Sequence, residues 1–132
     1  MELEYILIVE DDMITVSKIQ NILSDFNYHK TLHARDYQDA LHFISNDNII
    51  FAFIDIDLGD ERSGIDIAYR CLELGQFPYV FLSGFTDEDT INIAKLTRPY
   101  GFLSKPFEEK TLITTLEVTL HNYKHRKLDI DR

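Results

Sequence analysis

Cysteine, positive charge and long apolar runs are all scarce in this chain of 132 residues. Its one cysteine, Cys71, cannot form a disulfide within the chain. No apolar run approaches the ~20 residues needed to span a bilayer. The acidic N-terminus, residues 1–4, lacks the positive charge of a signal peptide. We therefore expect a soluble, cytoplasmic protein that is not bound to a membrane.

The charge balance is strongly acidic. The chain has 13 Lys and Arg residues against 23 Asp and Glu residues, so its formal net charge at pH 7 is −10. Affinity for a nucleic-acid backbone depends on clustered Lys and Arg side chains that release counterions. We therefore expect no direct nucleic-acid partner.

The remaining composition is that of an ordinary globular domain. Apolar residues make up 45% and charged residues 27% of a chain that has no internal repeat and no low-complexity linker. This length is sufficient to bury a core without disulfides or metals. We expect a single domain over residues 1–132, with a core at about residues 4–123 and a polar helical extension or tail at residues 124–132.

Two continuous apolar runs end in acidic residues. Tyr5–Val9 is followed by Glu10 and Asp11, and Ile49–Asp55 ends at Asp55 itself. A strand without alternation of apolar and polar residues is covered on both faces, as in a parallel sheet flanked by helices. Because ligands bind outside the carboxyl ends of such strands, these acids are candidate site residues.

Strand and helix patterns alternate five times along the chain, which predicts right-handed crossovers and helices on both faces of the sheet. The second strand, residues 29–34, is half polar and therefore suits a sheet edge. The fourth and fifth strands are expected at residues 79–82 and 101–104. The fold class is thus α/β, a doubly wound parallel (βα)5 sheet in the flavodoxin-like strand order 2-1-3-4-5.

Apolar residues at spacings of three and four predict the buried faces of the five helices. In chain order these residues are Val16, Ile19, Leu23 and Phe26, then Tyr37, Ala40, Leu41 and Ile44, then Ile65, Ala68, Tyr69 and Leu72, then Ile91, Ala94 and Leu96, and finally Ile113, Leu116, Leu120 and Tyr123. Short polar side chains at Asp12, at Asp36 and at Thr86 or Asp87 can accept free backbone N–H groups of a first turn. We expect helix N-caps there.

In this strand order the first and third strands are neighbours. Glu10, Asp11 and Asp55 then converge, and Ser83 and Lys105 arrive from the fourth and fifth strands. At an effective dielectric of ~20, each close carboxylate pair costs on the order of several kcal/mol unless a cation or proton intervenes. Mg²⁺ prefers oxygen ligands, typically one or two carboxylates and a phosphate oxygen. The residues therefore predict a magnesium site that accepts a phosphoryl group.

The other converging residues can supply the parts of a phosphoryl transfer. Ser83 can hydrogen-bond one phosphoryl oxygen, and Lys105 can place a positive charge beside a second. Asp55, at the tip of the buried strand, can attack phosphorus and form an aspartyl phosphate. Proteins contribute mainly positioning and charge stabilisation to such a transfer.

Four short motifs carry a family resemblance, namely Glu10-Asp11, Asp55-Ile56-Asp57-Leu58, Ser83-Gly84 and Lys105-Pro106-Phe107. Each motif alone would be weak. In this order, at these spacings and on successive β/α units, they resemble the receiver domain of two-component response regulators. The resemblance extends from residue 5 to about residue 123.

The resemblance implies a role for each acid and for the lysine. Asp55 corresponds to the phosphoacceptor, and Lys105 corresponds to the lysine that pairs with the phosphoryl group. Glu10 and Asp11 correspond to the acids that bind Mg²⁺ or Mn²⁺ together with the phosphoacceptor. Asp57 corresponds to the residue whose backbone carbonyl completes the metal site.

The resemblance also implies a switch between two states. Ser83 corresponds to the hydroxyl that moves toward the phosphoryl group, and Phe102 corresponds to the aromatic residue that swings inward on activation. The peptide bond between Lys105 and Pro106 is a candidate cis peptide. Phosphorylation would then change the surface formed by the fourth helix, the fifth strand and the fifth helix.

The same resemblance implies partners. The phosphodonor would be the phosphohistidine of a sensor histidine kinase or of a phosphotransfer protein. The chain would catalyse its own phosphorylation and dephosphorylation while acting primarily as a signalling switch. A homodimer through the fourth helix, fifth strand and fifth helix is one expected assembly, and the motifs do not specify a downstream effector.

Two positions depart from the family pattern. Gly59 stands where proline is usual, in a loop from Asp55 to Gly64 that is one residue longer than usual, so we expect a looser and more acidic loop. Asp57 adds a carboxylate where many relatives have a neutral residue. We hypothesise that Asp57 alters the lifetime of the phosphoryl group or the affinity for the metal.

Two alternative functions remain. Asp55-Ile56-Asp57 also resembles the first motif of haloacid-dehalogenase-like phosphatases, in which the second aspartate is a general acid or base. Gly59 in place of the usual threonine, and the lack of an acidic pair after the lysine, count against this alternative. The other alternative is a pseudo-receiver, a binding module that is not phosphorylated, although all the residue types for phosphorylation are present.

Overall fold

The computed structural model describes residues 3–58, 63–75, 77–84 and 87–131. The strands found in these residues are β1 (Tyr5–Val9), β2 (Thr31–Ala34), β3 (Ile49–Asp55), β4 (Tyr79–Ser83) and β5 (Phe102–Ser104). They form one sheet of five strands in the order β2-β1-β3-β4-β5, and all four pairings are parallel. The predicted fold class and strand order are therefore confirmed.

Each strand is followed by a helix. The helices are α1 (Met13–Asp25), α2 (Tyr37–Asn46), α3 (Gly64–Arg70), α4 (Glu88–Lys95) and α5 (Glu109–Asp131), and a π-helical segment, Cys71–Gly75, continues α3. Because α5 continues to Asp131, the backbone of residues 124–131 is helical. Within the described ranges, none of the helices has both the length and the hydropathy of a membrane span.

The helices cover both faces of the sheet. On one face, α2, α3 and α4 pack over a core that includes Ala52, Ile54 and Phe81. On the other face, α1 and α5 pack over Phe51 and Phe53. Alternate residues of β3 thus enter opposite cores, and the four consecutive residues 51–54 are fully buried. Burying a large apolar side chain contributes ~1.5–3 kcal/mol to the stability of the fold. The core therefore stabilises the position of β3 and of Asp55 at its end.

The expected helix caps are present. The side chains of Asp12, Asp36 and Asp87 each accept a backbone N–H group of the following turn, at 3.2, 2.9 and 2.7 Å respectively. Each of these bonds satisfies a donor that has no partner within the helix. Thr86, the alternative cap of α4, lies outside the described residues.

The buried face of α3 differs from the prediction. Tyr69 and Leu72, which the spacing places on the buried face, are 42% and 48% exposed. The buried residues of α3 and of the π-helical segment are Gly64, Ile67, Ala68 and Cys71. The helix is therefore rotated about its axis from the predicted orientation.

Gly64 explains this rotation. Its N–H donates to the Ile56 carbonyl at 3.0 Å, and a Cβ atom at Gly64 would lie 2.0 Å from the Asp55 carbonyl oxygen. Only glycine allows this approach, so α3 contacts β3 at Gly64. The residues three, four and seven positions further along then face the sheet.

Phe26 and Leu96 are also exposed, by 42% and 69%, although their spacing predicts buried positions. α1 ends at Asp25 and α4 ends at Lys95, so each of the two residues lies one position beyond its helix. The helical period therefore no longer determines which way these side chains face.

Candidate functional site

The carboxyl ends of β1 and β3 lie side by side. The parallel register pairs Val9 with Ile54, so the residues that follow them, Glu10 and Asp55, are neighbours. Glu10, Asp11 and Asp55 each offer a carboxylate oxygen, and these three oxygens lie within 4.8 Å of one another. The structure thus brings together the three acids that the sequence predicts for a metal site.

Two of the three acids are buried, and their charges are crowded. Glu10 is 1% exposed and Asp55 is 5% exposed, whereas Asp11 is exposed. Burial raises the pKa of Glu10; Lys105 opposes this effect, and the charge of Asp55 adds to it. Burial and the neighbouring Glu10 also raise the pKa of Asp11. The site therefore holds more negative charge than the protein around it compensates.

Lys105 lies between the two buried acids. Its Nζ atom is 2.6 Å from Glu10 Oε2 and 3.2 Å from Asp55 Oδ2. Burial disfavours the ammonium group, but the ion pair with Glu10 and the charge of Asp55 outweigh burial and raise the pKa of Lys105. The lysine is therefore charged at neutral pH and contacts both acids.

The acids fit a hard divalent cation. Glu10 Oε2 is buried and, apart from its close contact with Lys105 Nζ, has no aligned hydrogen bond from any described residue. One lysine charge faces three carboxylates, and Mg²⁺ and Mn²⁺ both prefer oxygen ligands of this kind. Glu10, Asp11 and Asp55 are therefore the side chains that can hold such an ion.

The backbone of Asp57 contacts the Asp55 carboxylate. Its N–H donates to Asp55 Oδ1 at 3.1 Å, while its own side chain is exposed. The two carboxylate oxygens of Asp55 thus have different neighbours, since Oδ2 faces the Lys105 ammonium group. These two contacts fix the orientation of the Asp55 carboxylate.

Ser83 and Phe102 lie on β4 and β5. The β3–β4 register pairs Asp55 with Leu82, so Ser83 is one residue beyond that pair, at the carboxyl end of β4, where it is buried. Phe102 is half-buried, and its ring centroid lies 5.7 Å from that of Phe81. The serine is therefore at the edge that carries the acids, and the phenylalanine ring packs beside the core.

A match to a known family accompanies this geometry. Residues 6–117 match the family model described as the response regulator receiver domain. The chain belongs to this family. Such a match does not favour the haloacid-dehalogenase-like phosphatase alternative.

Solved receiver structures share the fold at low sequence identity. The signal receiver domain of a modulated diguanylate cyclase from Desulfovibrio desulfuricans superposes with a TM-score of 0.86 and 26% identity, over 92% of this chain and 97% of that chain. The receiver domain of NtrX from Brucella abortus is 30% identical with a TM-score of 0.80, over 88% and 98% of the two chains. A CheY-like receiver domain protein from Methanospirillum hungatei has a TM-score of 0.85 at 20% identity, over 95% and 99%.

A curated relative is longer than this receiver. The transcriptional regulatory protein PdtaR of Mycobacterium tuberculosis is 24% identical over 119 residues, which are 90% of this chain and 58% of PdtaR. The chain thus spans somewhat over half the length of this relative.

The turn after β5 carries Lys105. The Lys105–Pro106 peptide bond is cis, and the following residue, Phe107, is buried. The Lys105 N–H donates to the Ser83 carbonyl at 2.8 Å, which joins this turn to β4. Gly59, which departs from the family pattern, lies with residues 60–62 outside the described residues, so the expectation of a looser loop stays a prediction.

A cleft of about 830 Å³ opens beside Asp55, between α3 and α4. Its lining residues are Asp55, Ile56, Asp57, Ser63, Ile65, Asp66, Tyr69, Gly84, Asp87, Thr90, Ile93 and Lys105. Asp55, although only 5% exposed, thus lines this cleft together with the exposed Tyr69. The sequence pattern alone had treated Tyr69 as a core residue.

Two further contacts of the site escaped the sequence prediction. Gly64 contacts the Asp55 carbonyl, and its only sequence signal is a glycine at the start of a helix after the polar loop. His33 Nε2 lies 2.8 Å from the Glu10 carbonyl oxygen. Since a carbonyl only accepts, Nε2 carries the proton. His33 gave no sequence signal, because the contact depends on the pairing of β1 with β2.

Proposed function

We propose that this receiver is a phosphoacceptor in a two-component phosphorelay, with Asp55 as the residue that is phosphorylated. The observation that carries the proposal is the position of Asp55, whose carboxylate oxygens contact the Lys105 ammonium group and the Asp57 amide within 4.8 Å of two further acids. A carboxylate held in this way is an oriented nucleophile for a phosphoryl group.

The proposed transfer starts from a phosphohistidine of a sensor kinase or a phosphotransfer protein. A carboxylate oxygen of Asp55 attacks phosphorus, the bond between phosphorus and the imidazole nitrogen breaks, and the imidazole leaves with the bonding electron pair. The product is an aspartyl phosphate. Because the transferring group is anionic, Lys105 can stabilise it by pairing with a phosphoryl oxygen while staying close to Glu10.

Glu10, Asp11 and Asp55 would hold Mg²⁺ or Mn²⁺, together with the backbone carbonyl of Asp57. When bound, the cation offsets the negative charge of the carboxylates and of the transferring phosphoryl group. The raised pKa values of Glu10 and Asp11 support this assignment, because they reflect acids whose ionised forms are incompletely compensated. Asp12 is left out of the metal site, since its carboxylate accepts from the Thr15 hydroxyl at 2.8 Å as part of the α1 cap.

The proposed output is a change in the surface formed by α4, β5 and α5. Ser83 would hydrogen-bond the phosphoryl group, and Phe102 would move inward from its half-buried position beside Phe81. This surface would contact a downstream effector and could also form a homodimer. Similar chains include the receiver domain of a modulated diguanylate cyclase and a transcriptional regulatory protein, so several outputs are compatible with the fold. We also propose that the protein acts in the cytoplasm and that residues 1–132 are one receiver domain.

Intact mass spectrometry tests the proposal. The protein is incubated with Mg²⁺ and acetyl phosphate, and the expected product is one added phosphoryl group, which is lost slowly. Asp55→Asn should show no addition, whereas the matched variant Asp57→Asn should still be labelled. An unlabelled wild type would instead favour the pseudo-receiver, and an equally labelled Asp55→Asn protein would refute Asp55 as the phosphoacceptor. Sustained turnover of a phosphatase substrate that Asp57→Asn abolishes would favour the phosphatase.

A further inference from the structure

Lys18 makes a long-range contact with the turn that carries Lys105. It lies on the exposed side of α1, and its Nζ atom donates to the Phe107 carbonyl oxygen at 2.6 Å. The same Nζ atom lies 4.5 Å from the centroid of the Phe107 ring. One ammonium group therefore contacts both the backbone and the side chain of a residue 89 positions away in the chain.

This contact is the main interaction of the Lys18 charge. In the described part of the chain, no carboxylate forms an ion pair with Lys18. A hydrogen bond from an ammonium group is charge-assisted and stronger than one between neutral groups, and the ring face attracts the same charge. Phe107 is 6% exposed, so Lys18 is bound to a residue that is itself held by the core.

The turn is thereby fixed at both ends. At its start, the Lys105 N–H donates to the Ser83 carbonyl of β4 at 2.8 Å. At its end, the Phe107 carbonyl accepts from Lys18 of α1. Only Pro106 separates the two anchored residues, so a shift of Phe107 would move the backbone from which the Lys105 side chain extends to the acids.

We propose that Lys18 is a positioning residue for Lys105. It holds the backbone of the Lys105 turn against α1 and so keeps the Lys105 ammonium group at the reacting edge of the sheet. This inference rests on the proposed phosphoacceptor function. Lys18 itself contacts neither Asp55 nor the transferring group, and it acts through the position of Lys105.

The first experiment compares initial rates of labelling by acetyl phosphate with Mg²⁺. Lys18→Met keeps the apolar stem and removes the charge, and it should slow labelling roughly five-fold, since small displacements of a positioned group lower rates by such factors or more. Lys18→Arg retains a cationic donor and should restore most of the rate. Lys110→Met removes an exposed charge from the first turn of α5 and should label like the wild type.

A double variant separates positioning from general stability. In a Lys105→Met background, adding Lys18→Met should not slow labelling further, because the group that Lys18 positions is absent. A further loss of similar size in that background would overturn the proposal. An unchanged rate in the single Lys18→Met variant would overturn it as well.

Hydrogen exchange gives a readout that does not depend on phosphorylation. In Lys18→Met, the backbone amide of Lys105 should exchange its hydrogen several-fold faster than in the wild type. The exchange rate of the Leu7 amide in β1 should not change. Lys18→Arg should restore slow exchange at Lys105. If the wild type is not labelled at all, the phosphoacceptor function fails, and this measurement still decides whether Lys18 holds the turn. Equal exchange at Lys105 in wild type and Lys18→Met would refute the proposal.

Discussion

The two ends of the sheet bury polar groups in opposite ways. At the carboxyl end, Glu10 and Asp55 are buried acids that share one lysine, Lys105. At the amino end, the Tyr79 hydroxyl is buried and donates to the Thr97 carbonyl. Burial raises the pKa of Tyr79 to about 12, so this hydroxyl stays neutral. One end therefore holds crowded charges, and the other holds a neutral, paired group.

The buried polar groups therefore affect the stability of the protein differently at the two ends of the sheet. A buried polar group that is neutral and paired costs little and makes the packing specific. Crowded acids with raised pKa values cost stability, and such groups concentrate at sites that bind ions or react. Variants at the amino end should therefore change stability without changing phosphorylation, whereas variants of the acids should change the response to pH and cations.

The largest effect on stability should come from Gly64, where packing and site coincide. In Gly64→Ala, the Cβ atom would lie 2.0 Å from the Asp55 carbonyl oxygen, so α3 and β3 must separate. Overpacking of this kind should lower the free energy of unfolding by roughly 3 kcal/mol, as measured by urea denaturation. Gly101→Ala is the matched control, because its Cβ would meet Val80 at an ordinary 3.8 Å. Equal stability of the two variants would refute this role of Gly64.

Tyr79→Phe should have the next largest effect and should act on stability alone. It leaves the Thr97 carbonyl without its hydroxyl donor, which should cost about 1–2 kcal/mol of unfolding free energy. The rate of labelling by acetyl phosphate should not change, since Tyr79 lies at the end of β4 remote from Asp55. Tyr69→Phe, at a side chain that is 42% exposed, is the control and should be neutral in stability. A slower labelling rate in Tyr79→Phe would break the separation between the two ends.

Glu10→Gln should raise the thermal stability of the metal-free protein at neutral pH. Because its folded-state pKa is raised, Glu10 contributes stability that is complete below the ordinary value of 4.5 and is lost as the pH rises through the folded value. Glutamine mimics the protonated acid, so the melting temperature at pH 7 should rise by roughly 2–4 °C, and the difference from wild type should vanish near pH 4. Glu4→Gln, at an exposed position, should show neither effect.

Added Mg²⁺ should stabilise the wild type more than Glu10→Gln. At pH 7, Mg²⁺ should raise the melting temperature of the wild type further than that of Glu10→Gln, because the cation compensates the buried carboxylate. A lower melting temperature of metal-free Glu10→Gln than of wild type at pH 7 would contradict the assignment of Glu10 as a crowded, uncompensated acid.

Asp57→Met should have the smallest effect, on the lifetime of the phosphoryl group and not on stability. The Asp57 side chain is exposed, so its replacement should leave the melting temperature unchanged. Asp57 and Asp55 line the same cleft, so we expect the Asp57 carboxylate to accept a proton from a water that attacks the phosphoryl group. Removing it should lengthen the aspartyl-phosphate half-life about three-fold. Identical half-lives and identical magnesium dependence in the wild type and Asp57→Met would contradict this hypothesis.

Much of the fold follows from local sequence patterns. The apolar runs Tyr5–Val9 and Ile49–Asp55 coincide with β1 and β3, because a strand buried on both faces needs no alternation. The caps at Asp12 and Asp36 are local as well, since the donor lies two or three residues from the acceptor. The convergence of Glu10, Asp11 and Asp55 then needed only the strand order.

The errors occur where a contact between elements, or the end of a helix, decides the outcome. The face of α3 follows from the approach of Gly64 to Asp55, which the spacing of apolar residues does not reveal. Phe26 and Leu96 match the helical period of their neighbours, yet they lie beyond the ends of α1 and α4. In each case packing against another element, or the loss of helical geometry, overrides the pattern.

The sequence by itself determined which chemical groups meet at the carboxyl edge, because strand order and strand ends follow from patterns within each segment. Tertiary structure alone decided how those groups pair. Lys105 lies closer to Glu10 than to Asp55, and Lys18 holds the Phe107 carbonyl from α1. Such distances join residues that are far apart in the chain. They depend on strand register and helix packing, which no single segment encodes.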